Sequence, residues 1–287
     1  MSFRLSSVVM LGLLASSLQA APNFEQAVGL FQAKKYPEAR VAFEGIAAAE
    51  AQNAEARFYL GVLAARRDDN TEAVRRLEEA TALNPRKSKY FLELGGAYGN
   101  AASKAGIFSK LEFAKKCQHA LETAVELDPD SLEARNGLVS FYRSAPTFAG
   151  GGMSKAYEQA EEIRKRDALM GASVVGQLYL SEKKIDQAFA LYEETLKSHP
   201  DSYTLLYAIG RAAAQTGQRL DRGEQSLRRC LELTPGKNDP GYAPVHWRLG
   251  NIAEKRGQAP AARAAYEAAL KADPNFTQAK DSLAKLK

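Results

Sequence analysis

The sequence predicts an all-α chain, about seven helix pairs stacked as an α-solenoid and closed by one C-terminal helix, on three observations. First, Ala54 to Pro85, AEARFYLGVLAARRDDNTEAVRRLEEATALNP, reads as two amphipathic helices joined by the polar turn Arg67 to Thr71. Counted from Gly61, small or apolar residues fall at +3 (Ala64), +12 (Ala73), +16 (Leu77) and +19 (Ala80), and Pro85 closes the unit at +24. Second, the same frame returns from Gly95, Gly176, Gly210 and Gly250, closed by Pro129, Pro200, Pro235 and Pro274. Third, one such pair is too small to bury both of its faces, so copies must stack on either side of it.

Taken in order, residues 1–20 are a separate object. Arg4 precedes an apolar run from Val8 to Leu18, and Ala20 supplies the small residue a signal peptidase takes. Cleavage is expected after Ala20, because a cut after Ala21 would leave Pro22 beside it. The apolar run is about eleven residues, against the roughly twenty that span a bilayer, so the expectation is an exported protein, periplasmic or secreted, with no membrane segment after cleavage.

From Ala27 a first repeat keeps the spacing with Leu30, Ala39, Phe43 and Ile46, without the Gly or the closing Pro; a terminal unit has one neighbour and departs from the pattern. The unit from Ala54 follows. The third carries about ten extra residues within 100–116, and Ile107, Phe108, Leu111 and Phe113 make that stretch too apolar for a solvated loop. The fourth keeps Leu138 and Tyr142, replaces the Gly by Val139, and has a long turn over 144–152. Its second helix aligns on Ala156, Ala160 and Ile163, since the alternative frame would start a helix inside three glycines. The two insertions should emerge on one edge and meet, with Phe148 as the buried contact. The repeats from Gly176, Gly210 and Gly250 complete the solenoid to residue 275. Phe276, Ala279, Leu283 and Leu286 then form one face of a capping helix, 276–287, whose other face is polar.

Leu60-Gly61, Leu94-Gly95 with Tyr98, Gly176 with Tyr179, and Leu249-Gly250 carry a pattern that resembles the tetratricopeptide repeat family, with Trp247 one place off the family's Trp. The resemblance implies a right-handed α-solenoid and a non-enzymatic scaffold or adaptor for protein partners. It also implies a concave groove lined by the first helices at −6, −3, +1 and +5 from each glycine, an arc of roughly 80°. Carried over, that stripe is apolar at Phe24, Val28, Phe58, Val62 and Leu92. It is neutral and polar at Asn136, Ser140, Ser144, Ser173, Gln177 and Ser181. At Tyr207, Arg211, Gln215, Trp247, Asn251 and Lys255 aromatics mix with positive charge. The expected partner-binding residues are therefore Tyr207, Arg211, Trp247, Asn251, Asn136, Gln177 and Phe58, for an extended segment bearing Asp, Glu or a free carboxylate. The family's two-carboxylate clamp for chaperone tails needs paired Lys and Asn, and only Asn136 and Asn251 stand at such places.

No residue set points to catalysis, to a cofactor or to a metal. His119, His199 and His246 stand alone, and Cys117 and Cys230 occupy the small packing positions of second helices. Gly150 to Gly152 feeds a helix, but the order of Ser154 and Lys155 is not that of a phosphate loop. A net charge of +5, with no basic tail, does not suit a nucleic-acid binder. Two other readings stay open beside the adaptor: an obligate subunit of a bacterial envelope assembly, and an enzyme whose site lies on the insertion edge.

Overall fold

Short polar side chains start the first helix of most repeats. Asn53, Ser131, Asp167 and Ser202 each accept the backbone N–H of the third residue on, at 2.9, 3.2, 2.9 and 3.4 Å. The structure is a computed structural model that describes residues 23–286, apart from the side chains of Ile107 and Phe108, and among these residues every regular element is helical. The expected leader, residues 1–20, lies outside the described residues.

The helices fall into two compact units that divide after Pro85, where the sequence reading runs one repeat array through this point. The first unit pairs α1 (Phe24–Gln32) with α2 (Tyr36–Ala49), and α3 (Ala54–Arg66) with α4 (Asn70–Leu83). The second pairs α5 (Ser88–Lys104) with α6 (Ile107–Leu127), α7 (Leu132–Ser144) with α8 (Met153–Arg166), and α9 (Ala168–Ser181) with α10 (Ile185–Ser198). It continues with α11 (Tyr203–Thr216) on α12 (Leu220–Glu232), α13 (Tyr242–Lys255) on α14 (Ala259–Ala272), and α15 (Thr277–Lys285) against α14. Seven pairs and a terminal helix are thus present among the described residues.

Within a pair, the glycine of the first helix faces the +16 side chain of the second. A Cβ on Gly61 would lie 2.5 Å from Leu77 Cγ, on Gly176 2.2 Å from Tyr192 Cε1, on Gly210 2.2 Å from Leu227 Cγ, and on Gly250 2.3 Å from Tyr266 Cε1. The large partners are buried in return, so the repeating glycine is a steric requirement of close helix packing.

A second repeated feature sits seven places after each glycine position. Lys34, Asp68, Lys183, Gly217 and Gly257 all adopt left-handed backbone there, with φ of 60°, 64°, 60°, 75° and 71°. In four of these turns the next residue's N–H returns to the helix: Lys35 to the Leu30 carbonyl, Asp69 to Ala64, Lys184 to Tyr179 and Gln258 to Ala253, at 2.8 to 3.1 Å. This bond closes the Schellman motif that stops the helix.

The third repeat lacks that stop. Ala102 stands at the corresponding place and stays helical, so α5 runs for 17 residues and α6 for 21. The extra residues at 100–116 therefore lengthen both helices, leaving only Ala105 and Gly106 between them, where the sequence reading places an insertion between the helices. In the fourth repeat the turn folds as a 3-10 segment, Thr147–Ala149, followed by Gly150 at φ 93°. Ala149 is buried, and a Cβ on Gly150 would fall 2.0 Å from Gln118 Oε1, so the turn is seated on α6 just beyond the extra residues 100–116. Phe148 is not the buried contact expected between the two insertions: it is 79% exposed, because Ala149 and Gly150 are the residues pressed against the helix. The side chains of Ile107 and Phe108 lie outside the described residues. Helix α8 starts after the three glycines, and Ala156, Ala160 and Ile163 form its buried face.

Candidate functional groove

Successive first helices lie side by side in the second unit, and three of them, α7, α9 and α11, line a cavity of about 310 Å³. Asn136, Ser140 and Arg143 come from α7, Ser173 and Gln177 from α9, and Thr204 and Arg211 from α11. The structure thus brings together Asn136, Gln177 and Arg211, three residues expected at the groove from sequence. Arg143, one turn beyond Ser140 on α7, belongs with them although it falls outside the stripe, because the groove floor is wider than the four places assigned to each helix.

The cavity has two guanidinium groups and no carboxylate in its lining. Two of its polar atoms, Gln177 Oε1 and Arg211 Nε, are buried without a hydrogen-bond partner. Leaving such a group unpaired costs about 1–3 kcal/mol, so the fold leaves two polar atoms unsatisfied beside the cavity. Beneath them, the Tyr192 hydroxyl from α10 donates to the Ser173 carbonyl at 3.5 Å. Burial pushes that phenol up to about 12, against the opposing pull of Arg211 beside it. The packing residue of the pair therefore also forms the floor under the groove's arginine. A larger depression on the outer helices α10 and α12 differs in kind: its Arg222 is already paired with Glu193 at 2.7 Å.

The remaining expected residues have other partners. Phe58 is 3% exposed and packs edge-on against Tyr59, so it is withdrawn from the surface. Tyr207 is partly buried against the apolar core of its unit. Asn251 accepts from the Tyr266 hydroxyl at 2.8 Å, and the neighbouring Glu254 adds to burial in raising that phenol. Trp247 donates its indole N–H to Ser282 Oγ at 3.0 Å, meets Phe276 edge-to-face at 5.9 Å, and lies under the Arg248 guanidinium at 4.2 Å. These contacts give the partly buried Trp247 a structural part as well, since they fasten the terminal helix. Sequence spacing cannot show this, because Phe276 and Ser282 lie beyond the repeat frame.

Among the described residues no group of His, Cys, Asp and Glu could hold a metal ion, and no helix is long and apolar enough to cross a membrane. Both thiols are buried, Cys117 being pushed up to about 11 and Cys230 to about 12 by desolvation.

Family models described as Tetratricopeptide repeat match residues 24–85, 176–243 and 243–276. Among solved structures, the chain is similar to a tetratricopeptide repeat protein from Parabacteroides merdae, at a TM-score of 0.63 and 13% identity over 91% of this chain and 96% of that one. Yeast Tom70 superposes at a TM-score of 0.64 with 14% identity, over 88% of this chain and 51% of its own. A thermophilic TPR protein of Thermus thermophilus gives 0.50 and 19%, over 72% and 96%. Identities this low speak to the fold alone. No curated protein matches the chain.

Proposed function

Because the chain belongs to the tetratricopeptide repeat family, a family of protein-interaction scaffolds, we propose that it is a non-enzymatic adaptor whose groove at α7, α9 and α11 receives an extended partner segment. The supporting observation is the pair of unpartnered buried atoms, Gln177 Oε1 and Arg211 Nε, in a cavity with two arginines and no acid. An extended peptide can satisfy both, with an amide N–H for the glutamine oxygen and a carboxylate for the guanidinium. The proposed partner segment therefore carries Asp, Glu or a terminal carboxylate, bound at about −8 kcal/mol, the strength of a micromolar complex. Export is part of the proposal and rests on the pattern of residues 4–20.

The test is capture from a periplasmic extract, followed by anisotropy measurements with labelled peptides cut from whatever is retained. Arg211→Glu should abolish binding, replacing the peptide's acids by their amides should weaken it, and added salt should weaken it further. A partner segment whose affinity ignores both Arg211→Glu and Arg143→Glu, with the helices intact by circular dichroism, would rule out this groove.

A further inference from the structure

The lengthened α5 and α6 deepen the concave face beside the groove into a second cavity, which takes Leu92, Ser140 and Ser144 from the repeat stripe and adds Ser103, Lys110 and Leu111 from the extra residues. Together with α7 and the 147–149 turn they enclose a cavity of about 640 Å³, within the size range of small-molecule sites. Its walls are cut back by glycine. A Cβ on Gly96 would have nothing within 4 Å, and one on Gly99 would meet only Cys117 Sγ at 3.6 Å. Apolar side chains such as Leu111 and Leu121 supply much of the remaining surface. Lys110 is the one charged residue in the described lining; it is exposed and no ion pair occupies it. Phe148 stands at the rim, 79% exposed, on a turn whose next two residues are pinned against α6.

These features discriminate between kinds of ligand. The walls are mostly helical, and their backbone N–H and C=O groups are committed to the helices. Apart from Asn100, Ser140 and Ser144 the lining offers few free polar side chains, the Ser103 hydroxyl being bonded to the Asn100 carbonyl, so a peptide entering here would leave most of its amides without partners. An aliphatic chain needs no such partners and gains from apolar contact. A single cation at the edge, unopposed by any lining carboxylate, complements an anionic head. An exposed aromatic beside the opening gains cover once a chain lies under it.

We propose that the cavity between α5, α6 and α7 binds one single-chain amphiphile, its aliphatic tail along the glycine-lined wall and its anionic headgroup at Lys110. This site adjoins the peptide groove, sharing Ser140 with it, and Arg211 takes no part in it.

The experiment uses the purified full chain and a fluorescent polyene fatty acid, displaced in turn by hexadecanoate, hexadecanol and hexadecylamine. Hexadecanoate should displace the probe most strongly and the amine least. Lys110→Glu should weaken hexadecanoate by roughly threefold to tenfold, the effect of one exposed charge reversed, and leave hexadecanol unchanged. Gly96→Leu places a side chain into open space on a helix, so it should keep the melting transition and abolish binding of all three. The proposal fails if the probe does not bind, or if Gly96→Leu binds as the parent does. It fails equally if hexadecanoate affinity is indifferent to Lys110→Glu, a measurement that stands even if the Gly96 variant does not fold. Arg211→Glu should leave every value unchanged, which keeps this outcome distinct from that of the groove.

Discussion

Gly176 stands so close to Tyr192 that one added Cβ would come within 2.2 Å of the ring. The same tyrosine places its hydroxyl under Ser173 and beside Arg211, so packing inside the pair and the shape of the groove depend on one contact. Gly176→Ala should destabilise the protein by about 1–3 kcal/mol through overpacking, and it should lower groove affinity in the molecules that remain folded. Gly29→Ala is the control: nothing lies within 4 Å of its Cβ position, and removing a helical glycine should stabilise by about 0.5–1 kcal/mol. Urea melts of the two variants should shift in opposite directions.

Lys183 holds a left-handed backbone at the place where Gly217 and Gly257 stand in the later repeats. A residue with a Cβ pays for that conformation, whereas glycine adopts it freely at some cost in unfolded-state entropy. Lys183→Gly should therefore stabilise the protein by about 0.5–1 kcal/mol. An unchanged or lower melting midpoint would mean that the unfolded-state entropy added by glycine outweighs the relief of backbone strain at this turn.

These two contacts show what the sequence makes legible. Close approach of helices leaves a mark at one position, glycine opposite a large residue, so the pairing of Gly61 with Leu77 or Gly250 with Tyr266 is readable from spacing. The helix stop is readable only where it too is glycine, and Asp68 and Lys183 conceal it. The same ignorance of the stop makes residues 100–116 look like an insertion between helices, since nothing in the frame says that α5 continues past Ala102. At the groove, Asn136, Gln177 and Arg211 follow from the repeat, whereas the commitments of Phe58 and Trp247 depend on tertiary partners.

Cys117 and Cys230 lie on α6 and α12, with two complete helix pairs between theirs in the chain. Each pair adds a layer of roughly 8–10 Å, beyond the reach of about 7 Å between the Cα atoms of a disulfide. Burial also holds both thiols protonated, up to about 11 and about 12, so the thiolate is scarce at pH 8. Oxidised monomer should show no Cys117–Cys230 bridge by non-reducing mass mapping, and a thiol reagent should react slowly until urea is added. A rapid stoichiometric reaction in the native state would contradict this.

Glu162 lies between Lys165 and Arg166, and Arg166 reaches on to Asp130 at 2.9 Å, fastening α8 to the turn before α7. These hydrogen bonds hold the Glu162 carboxyl down to about 2 from an ordinary 4.5. A lowered folded-state value contributes stability that is complete above the ordinary one and is lost as pH falls through the folded one. The parent should therefore lose this contribution between about pH 4.5 and pH 2, and Glu162→Gln should show a shallower decline over that window. Parallel declines in urea midpoints would mean that the pair is screened by solvent and contributes nothing measurable.

Trp247 supplies the last test, because it separates fastening the terminal helix from binding a partner. Its indole N–H reaches Ser282 on α15 and its ring meets Phe276, so Trp247→Phe should keep much of the ring contact and lose the hydrogen bond, at about 1 kcal/mol. Ser282→Ala removes the other end of the same bond. The two changes together should therefore cost less than the sum of their separate effects. Protection of α15 amides in hydrogen exchange should fall in both variants, since that helix is held through this contact and the cluster around Tyr266. Peptide affinity at the groove should stay at the parent value in Trp247→Phe, because the cavity of Asn136, Gln177 and Arg211 does not include the indole. If melting and exchange were unchanged while peptide binding fell, Trp247 would belong to the partner face after all, and the groove would have to extend along α13.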